Sequence, residues 1–156
     1  MIAPVSVSVD VPFARERVYD FLDVLSNHEP FTNHVLTEWR CSGPERGVGA
    51  KARVKVRSGP MTDDVEFEVV DAERPRMIRE RNVGARGRRT AYGTYELDEL
   101  PDGGTHVRFT YTWERAPLSE RLLAPLVRST LRRANERAMQ RLAEQLPAAL
   151  ATPAAP

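Results

Sequence analysis

From Val48 to Glu114 apolar and polar side chains alternate with a period of two. VGAKARVKVRSG puts Ala50, Ala52, Val54 and Val56 on one face and Lys51, Arg53, Lys55 and Arg57 on the other. That is the pattern of an antiparallel strand with one wet face. TDDVEFEVVDAERP repeats it, with Val65, Phe67 and Val69 inward and Glu66 and Glu68 outward. RMIRERNVG sends Ile78, Glu80 and Asn82 inward; Arg79 and Arg81 face out, where they are expected to pair with Glu66 and Glu68. RRTAYGTYELDEL and GGTHVRFTYTWE flank a turn at Pro101 to Gly104 and read as a hairpin. The second of these strands places Val107, Phe109, Tyr111 and Trp113 on one face. With VSVSVD at residues 5–10 and VLTEWRCSG at 35–43, the pattern predicts seven strands.

Two stretches change period. After Pro12, Val18, Phe21, Leu22 and Leu25 recur at helical spacing, and the polar segment 26–34 reads as a second short helix or turn. Beyond Pro117, Leu123, Val127, Leu131, Ala134, Ala138, Leu142 and Leu146 make one apolar stripe on a long helix. Pro125 either starts that helix after a lead-in turn or kinks it, and Pro147 is expected to end it. Residues 1–147 read as a single domain, with 148–156 as a disordered Ala/Pro tail. A wide sheet with one wet face must bury the other, and the long helix carries the matching stripe. The fold class is therefore α+β, a seven-stranded antiparallel sheet wrapped around a long C-terminal helix.

Composition narrows the functional classes. The 156 residues are 41% hydrophobic and 29% charged with a net charge of +1, so no overall field marks a nucleic-acid or membrane binder. No apolar run approaches the ~20 residues that span a bilayer, and the start lacks the pattern of a signal peptide. Cys41 is the only cysteine, which excludes an intrachain disulfide and a cysteine-based zinc site. A reduced, cytoplasmic setting fits. The seven arginines between Arg74 and Arg89 lie beside acidic strand residues and read as solvated ion pairs rather than a nucleic-acid face.

The order strand–helix–helix–six strands–long helix resembles the START-like (SRPBCC) superfamily, the helix-grip or birch-pollen-allergen-like fold, in its polyketide cyclase/dehydrase and lipid-transport branch. VSVDVPFARERVYDFLDVLSNHEPF resembles its opening strand and helix, RGVGAKARVKV its third strand, GTYELDELPDGGTHVRFTYTWE its last hairpin, and APLSERLLAPLVRSTLRRANERAMQRLAEQL its closing helix. The resemblance spans residues 3–146 and implies a β-α-α-β6-α helix-grip domain. It further implies an internal cavity between sheet and helix that holds a hydrophobic molecule such as a lipid, polyketide or sterol.

Inward residues of such a fold are the candidate ligand contacts: Phe67, Val69, Ile78, Tyr95, Phe109, Tyr111 and Trp113, with Trp39 from the second strand and Val127 and Leu131 from the helix. Each is equally a core-packing position. Glu80 carries more information, because an inward carboxylate is costly unless it is paired, hydrogen-bonded or in a cavity. It is either a ligand-orienting group or general base with a raised pKa, or a rim glutamate paired with an arginine. Of three histidines, His106 lies on the wet face, and His28 and His34 fall in the segment that borders the cavity entrance in this fold. His34 is the candidate pocket residue. No metal motif, nucleophile elbow, P-loop or GxGxxG occurs, and no cofactor is implied. Cys41, on a strand, is expected to be buried. Three readings stay open: a hydrophobic-ligand binder acting by sequestration or transfer, a cyclase or dehydratase using the same cavity, and a protein-interaction module with an exposed apolar patch.

Overall fold

The computed structural model describes residues 1–151. Seven strands form one antiparallel sheet: β1 Val5–Val11, β2 Leu36–Ser42, β3 Lys51–Ser58, β4 Met61–Glu73, β5 Met77–Gly84, β6 Arg89–Glu99 and β7 Thr105–Arg115. Their order is β1-β7-β6-β5-β4-β3-β2, so only β1 is out of chain order. Between β1 and β2 lie α1 (Arg15–Leu22), a 3₁₀ turn (Leu25–His28) and the one-turn α2 (Glu29–Thr32). After β7 come α3 (Leu118–Leu122) and α4 (Ala124–Leu150), with Pro125 in the first turn of α4, where its missing N–H costs nothing.

The alternation read from the sequence is the alternation observed. Ala50, Ala52, Val54, Val65, Phe67, Val69, Ile78, Tyr95, Leu97, Val107 and Trp113 are buried. One irregularity matters. Leu36 and Trp39, three apart, cannot share a face of a regular strand. A bulge between Thr37 and Arg40, with Glu38 at φ 55°, inserts one residue and turns both toward the core.

α4 packs chiefly against β1 and α2. Its arginines tie it to neighbouring backbone: Arg128 donates to the carbonyls of Ala3 (3.0 Å) and Pro4 (2.9 Å), Arg132 to Ser6 (3.3 Å) and Arg141 to Pro30 (2.8 Å). Ala138, Met139, Leu142 and Leu146 are buried in the main core, together with Phe31, Leu22 and Leu97. Val127 and Leu131, nearer the start of the helix, are only half-buried and belong to a smaller cluster of Ile2, Val5, Trp113 and Tyr111. Thus the concave face is tightly closed under the second half of α4 and more loosely covered under the first.

Four expectations change. Pro147 does not end the helix, which continues to Leu150. The ring removes only one ladder bond, and Ala151 N–H still reaches the Pro147 carbonyl at 3.0 Å. Residues 148–150 are therefore helical, and the rest of the expected tail, 152–156, lies outside the described residues. Leu123 sits at the junction of α3 and α4 and is 55% exposed, like Leu118, Leu122 and Leu126 beside it in the chain, rather than forming the first rung of the buried stripe. Cys41 is exposed; β2 is an edge strand with no further strand to cover its outer side. Glu66 and Glu68 pair across β3 with Arg53 (3.6 Å) and Lys51 (3.7 Å), while Arg79 lies 4.2 Å from the Tyr92 ring centroid.

The difference in packing along α4 has a measurable consequence. Leu142→Ala, at a fully buried position, is expected to cost about 3 kcal/mol, and Leu131→Ala less than half of that. Urea unfolding of both variants checks this; equal losses would mean that the two halves of the helix are equally packed.

Candidate functional site

Strand pairing assembles the site in rows across the concave face. Ile78, Tyr95 and Phe109 face one another along β5, β6 and β7; the next row is Glu80, Gly93 and Tyr111; the next is Asn82, Ala91 and Trp113. The β6 members of the last two rows are the smallest residues available, and the Phe109 ring fills the space over Gly93: a Cβ there would stand 2.8 Å from Phe109 Cζ. Glycine here serves a close approach rather than a turn.

Glu80 and Asn82 are 4% and 6% exposed, as buried as the valines around them. Opposite Glu80 stands His28, delivered by the 3₁₀ turn after α1 and 2% exposed. Its Nε2–H donates to the Leu22 carbonyl at 2.7 Å; a carbonyl only accepts, so the tautomer is determined. That leaves His28 Nδ1 as a lone pair, 3.6 Å from Glu80 Oε1. By distance alone the two make an ion pair. Burial argues otherwise, since it pushes the Glu80 carboxyl up to about 8 and the His28 imidazole down to about 4, the latter against the Leu22 bond. Between those values both groups are uncharged and Glu80 carries the proton that separates two facing acceptors. Among the described residues, Glu80 Oε1 has no hydrogen-bond partner, and neither has Asn82 Oδ1.

Aromatic rings enclose this polar pair. The His28 ring lies 5.3 Å from Phe31, 5.5 Å from Tyr95 and 6.2 Å from Trp39; Trp39 and Phe67 are 5.7 Å apart, and Tyr95 and Phe109 4.7 Å. Burial, with the Glu80 charge adding to it, holds the Tyr95 hydroxyl well above the usual tyrosine range. Of the residues singled out from the sequence, Trp39, Phe67, Val69, Ile78, Glu80, Tyr95 and Phe109 thus belong to one cluster. Tyr111, Trp113, Val127 and Leu131 form the second, where burial pushes the Tyr111 hydroxyl up to about 12. His34 joins neither. Its Nε2–H donates to the Ala134 carbonyl at 2.9 Å and its Nδ1 accepts from Arg141 at 3.2 Å, so both nitrogens are committed to the seam between α2 and α4.

Two elements of this region were not among the candidate contacts. His28 is one; the sequence placed it only in the segment after α1, a turn whose fold is not periodic. Arg89 is the other. It is half-buried at the end of the inner face, donating from Nη1 to Asp63 (2.9 Å) and from Nε to both oxygens of Glu120 on α3 (3.1 and 3.0 Å). Gly84 makes room for it, since a Cβ there would stand 2.5 Å from Arg89 Nη1. This network fixes α3 across one end of the sheet. Two shallow recesses lie elsewhere. One of about 120 Å³ is bordered by Leu25, Cys41 and Gly43, and one of about 520 Å³ lies on the charged outer face near Arg40, Arg53 and Asp64.

A seven-stranded antiparallel sheet gripping a long C-terminal helix defines the class: a START-like, helix-grip protein. Within that class the chain belongs to the polyketide cyclase / dehydrase and lipid transport family, whose model matches residues 3–147. Solved structures share the fold. A Thermus thermophilus protein is 24% identical over 94% of this chain and 99% of its own, with a TM-score of 0.73. The Zhui aromatase/cyclase of a Streptomyces species is 14% identical over 96% and 98%, at 0.75. A START superfamily protein from Mycobacterium smegmatis is 14% identical over 94% and 98%, at 0.71. No curated protein matches the chain. Among the described residues no helix is long and apolar enough to cross a membrane.

The buried pair sets a pH dependence. Glu80, raised in the folded state from 4.5 to about 8, removes stability as pH climbs through that window. His28, lowered from 6.5 to about 4, adds stability as pH climbs from about 4 to 6.5. The two offset each other up to pH 6.5, and above it only Glu80 acts. Stability is expected to fall between pH 6.5 and 8.5 by something on the order of 1–3 kcal/mol, a limb that Glu80→Gln flattens. Urea midpoints of both proteins at the two pH values check it; parallel changes would show that Glu80 is ionised throughout.

Proposed function

We propose that the chain binds a hydrophobic small molecule, lipid- or polyketide-like, between the concave face of the sheet and the first half of α4, for sequestration or transfer. The observation that carries this reading is the buried pair Glu80 and Asn82, each with an oxygen that has no partner, inside a wall of aromatic side chains. Groups of this kind are costly to bury unless something supplies the missing hydrogen bonds. An apolar wall with a few convergent polar groups is the usual character of a small-molecule site. Half-buried Phe109, Tyr111, Val127 and Leu131 supply apolar area that a ligand would cover, at roughly 25 cal/mol per Å² before entropic costs. The family description, lipid transport included, supports the same reading.

A second reading uses the same site for chemistry of the cyclase or dehydratase kind. The Glu80–His28 pair favours it: a carboxyl protonated at neutral pH beside a neutral imidazole is suited to giving and taking a proton. Glu80→Gln separates the two readings, because it abolishes turnover while leaving binding in place.

Native mass spectrometry of the purified protein, followed by denaturing extraction, tests the first reading. A co-purified apolar molecule is expected, lost in Tyr111→Ala and Trp113→Ala. Protein that stays empty after incubation with lipid and polyketide extracts, and whose Trp113→Ala variant only melts earlier, would make the aromatic face ordinary core.

A further inference from the structure

Among the described residues seven large hydrophobic side chains are exposed, and four of them, Leu118, Leu122, Leu123 and Leu126, lie along α3, its junction with α4 and the first turn of α4. Leucines scattered singly over a surface need no explanation; four in one short span do. Leu118 and Leu122 are one helical turn apart on α3, and the bond from Val127 N–H to the Leu123 carbonyl (2.9 Å) sets Leu123 and Leu126 on the opening turn of α4. Glu120 fixes which side of α3 meets the sheet, because Arg89 at the start of β6 holds it there. Two positions along a helix is more than half a turn, so Leu118 and Leu122 stand on the side opposite Glu120 and face away from the sheet.

The charge around these leucines is one-sided. Between positions 115 and 133 the chain carries Arg115, Arg121, Arg128, Arg132 and Arg133 and a single acid, Glu120, which Arg89 already engages. The net charge of +1 for the whole chain averages this cluster away. Arg128 and Arg132 donate to backbone carbonyls, which leaves their charge uncancelled. Among the described residues none of the five has an ion-pair partner. The neighbouring β5–β6 turn, joined to α3 through Arg89, adds exposed Arg86 and Arg88.

We propose that α3 and the start of α4 form a docking surface for an anionic lipid bilayer. The leucines enter the boundary between headgroups and acyl chains, and the arginines meet the lipid phosphates. Other occupants match the surface less well. A second copy of the chain, paired symmetrically, would set these arginines against their own counterparts with Glu120 already taken. Protein partners are anchored by aromatic side chains, and residues 115–133 contain none. A nucleic acid offers phosphates but no apolar phase for four leucines. Docking needs no bound ligand and so goes beyond the cavity reading, yet it brings the loosely covered first half of α4, with half-buried Val127 and Leu131, to the membrane.

Flotation with phosphatidylcholine vesicles, with and without phosphatidylglycerol, tests the surface. The protein is expected to bind the mixed vesicles at least ~10-fold more tightly than phosphatidylcholine alone, and less tightly as salt rises. Leu122→Ser with Leu126→Ser, and separately Arg121→Gln with Arg133→Gln, are each expected to lower that binding by ~10-fold or more. Arg53→Gln with Arg81→Gln removes the same net charge from the outer face of the sheet and is expected to leave it unchanged. Should the leucine pair lose its cooperative unfolding transition, Leu118→Ser alone replaces it with the same direction expected. Binding that is absent, equal on both kinds of vesicle, undiminished by the leucine changes, or lowered equally by both arginine pairs overturns the proposal. So does a dimer in sedimentation velocity that the leucine changes dissolve, which reassigns the surface to a second copy. Vesicle binding is read without ligand, so its failure leaves the cavity reading standing, and an empty cavity leaves the docking surface standing.

Discussion

A sheet seven strands wide measures roughly 30 Å across, and one helix with its side chains covers about 10 Å. That mismatch governs this molecule. α1, α2 and the 3₁₀ turn cover part of the remainder. Under the second half of α4 the cover is complete, with Leu142 and Leu146 fully enclosed. Under the first half it is not, and apolar side chains from both layers stay half-buried. The apolar surface that this geometry leaves over is where a ligand of matching character gains most by binding.

Low dielectric turns the same region into a place where polar groups have large effects. Glu80 and His28 face each other with one acceptor too many, so burial holds the proton on the carboxyl rather than separating charge. The backbone carbonyl of Leu22 determines which imidazole nitrogen is free to face Glu80. The rest of the ionic chemistry is kept outside or at the ends. Cross-strand pairs decorate the outer face, and Arg89 anchors α3 by a bidentate contact at the rim. Arginines of α4 spend their donors on backbone carbonyls of neighbouring segments, which fixes the helix against the sheet without placing charge between them.

Strands and sheet faces were legible in the residues because period two is local. Val65, Phe67, Val69, Ile78, Glu80 and Asn82 point inward for the same reason that Glu66 and Glu68 point outward, and no distant contact is needed to decide it. The long helix and the burial of Ala138, Leu142 and Leu146 follow from period 3.6 in the same way. So the amino-acid sequence by itself determined the element order, the buried face and the inward carboxylate.

Only the tertiary structure decided what that carboxylate meets. His28 comes from a non-periodic turn more than fifty positions earlier in the chain, and its ring nitrogen is aimed by a backbone carbonyl rather than by its own strand or helix. Trp39 reaches the core because a bulge at Glu38 breaks the alternation that would have turned it outward. His34 was drawn to the helix seam by Arg141, a partner 107 residues away. Cys41 is exposed because β2 lies at the sheet edge, a fact of strand order rather than of strand pattern. The physical reason is common to all four. Periodicity reports which side of its own element a residue occupies, whereas burial, tautomer and protonation depend on what other elements bring to that side.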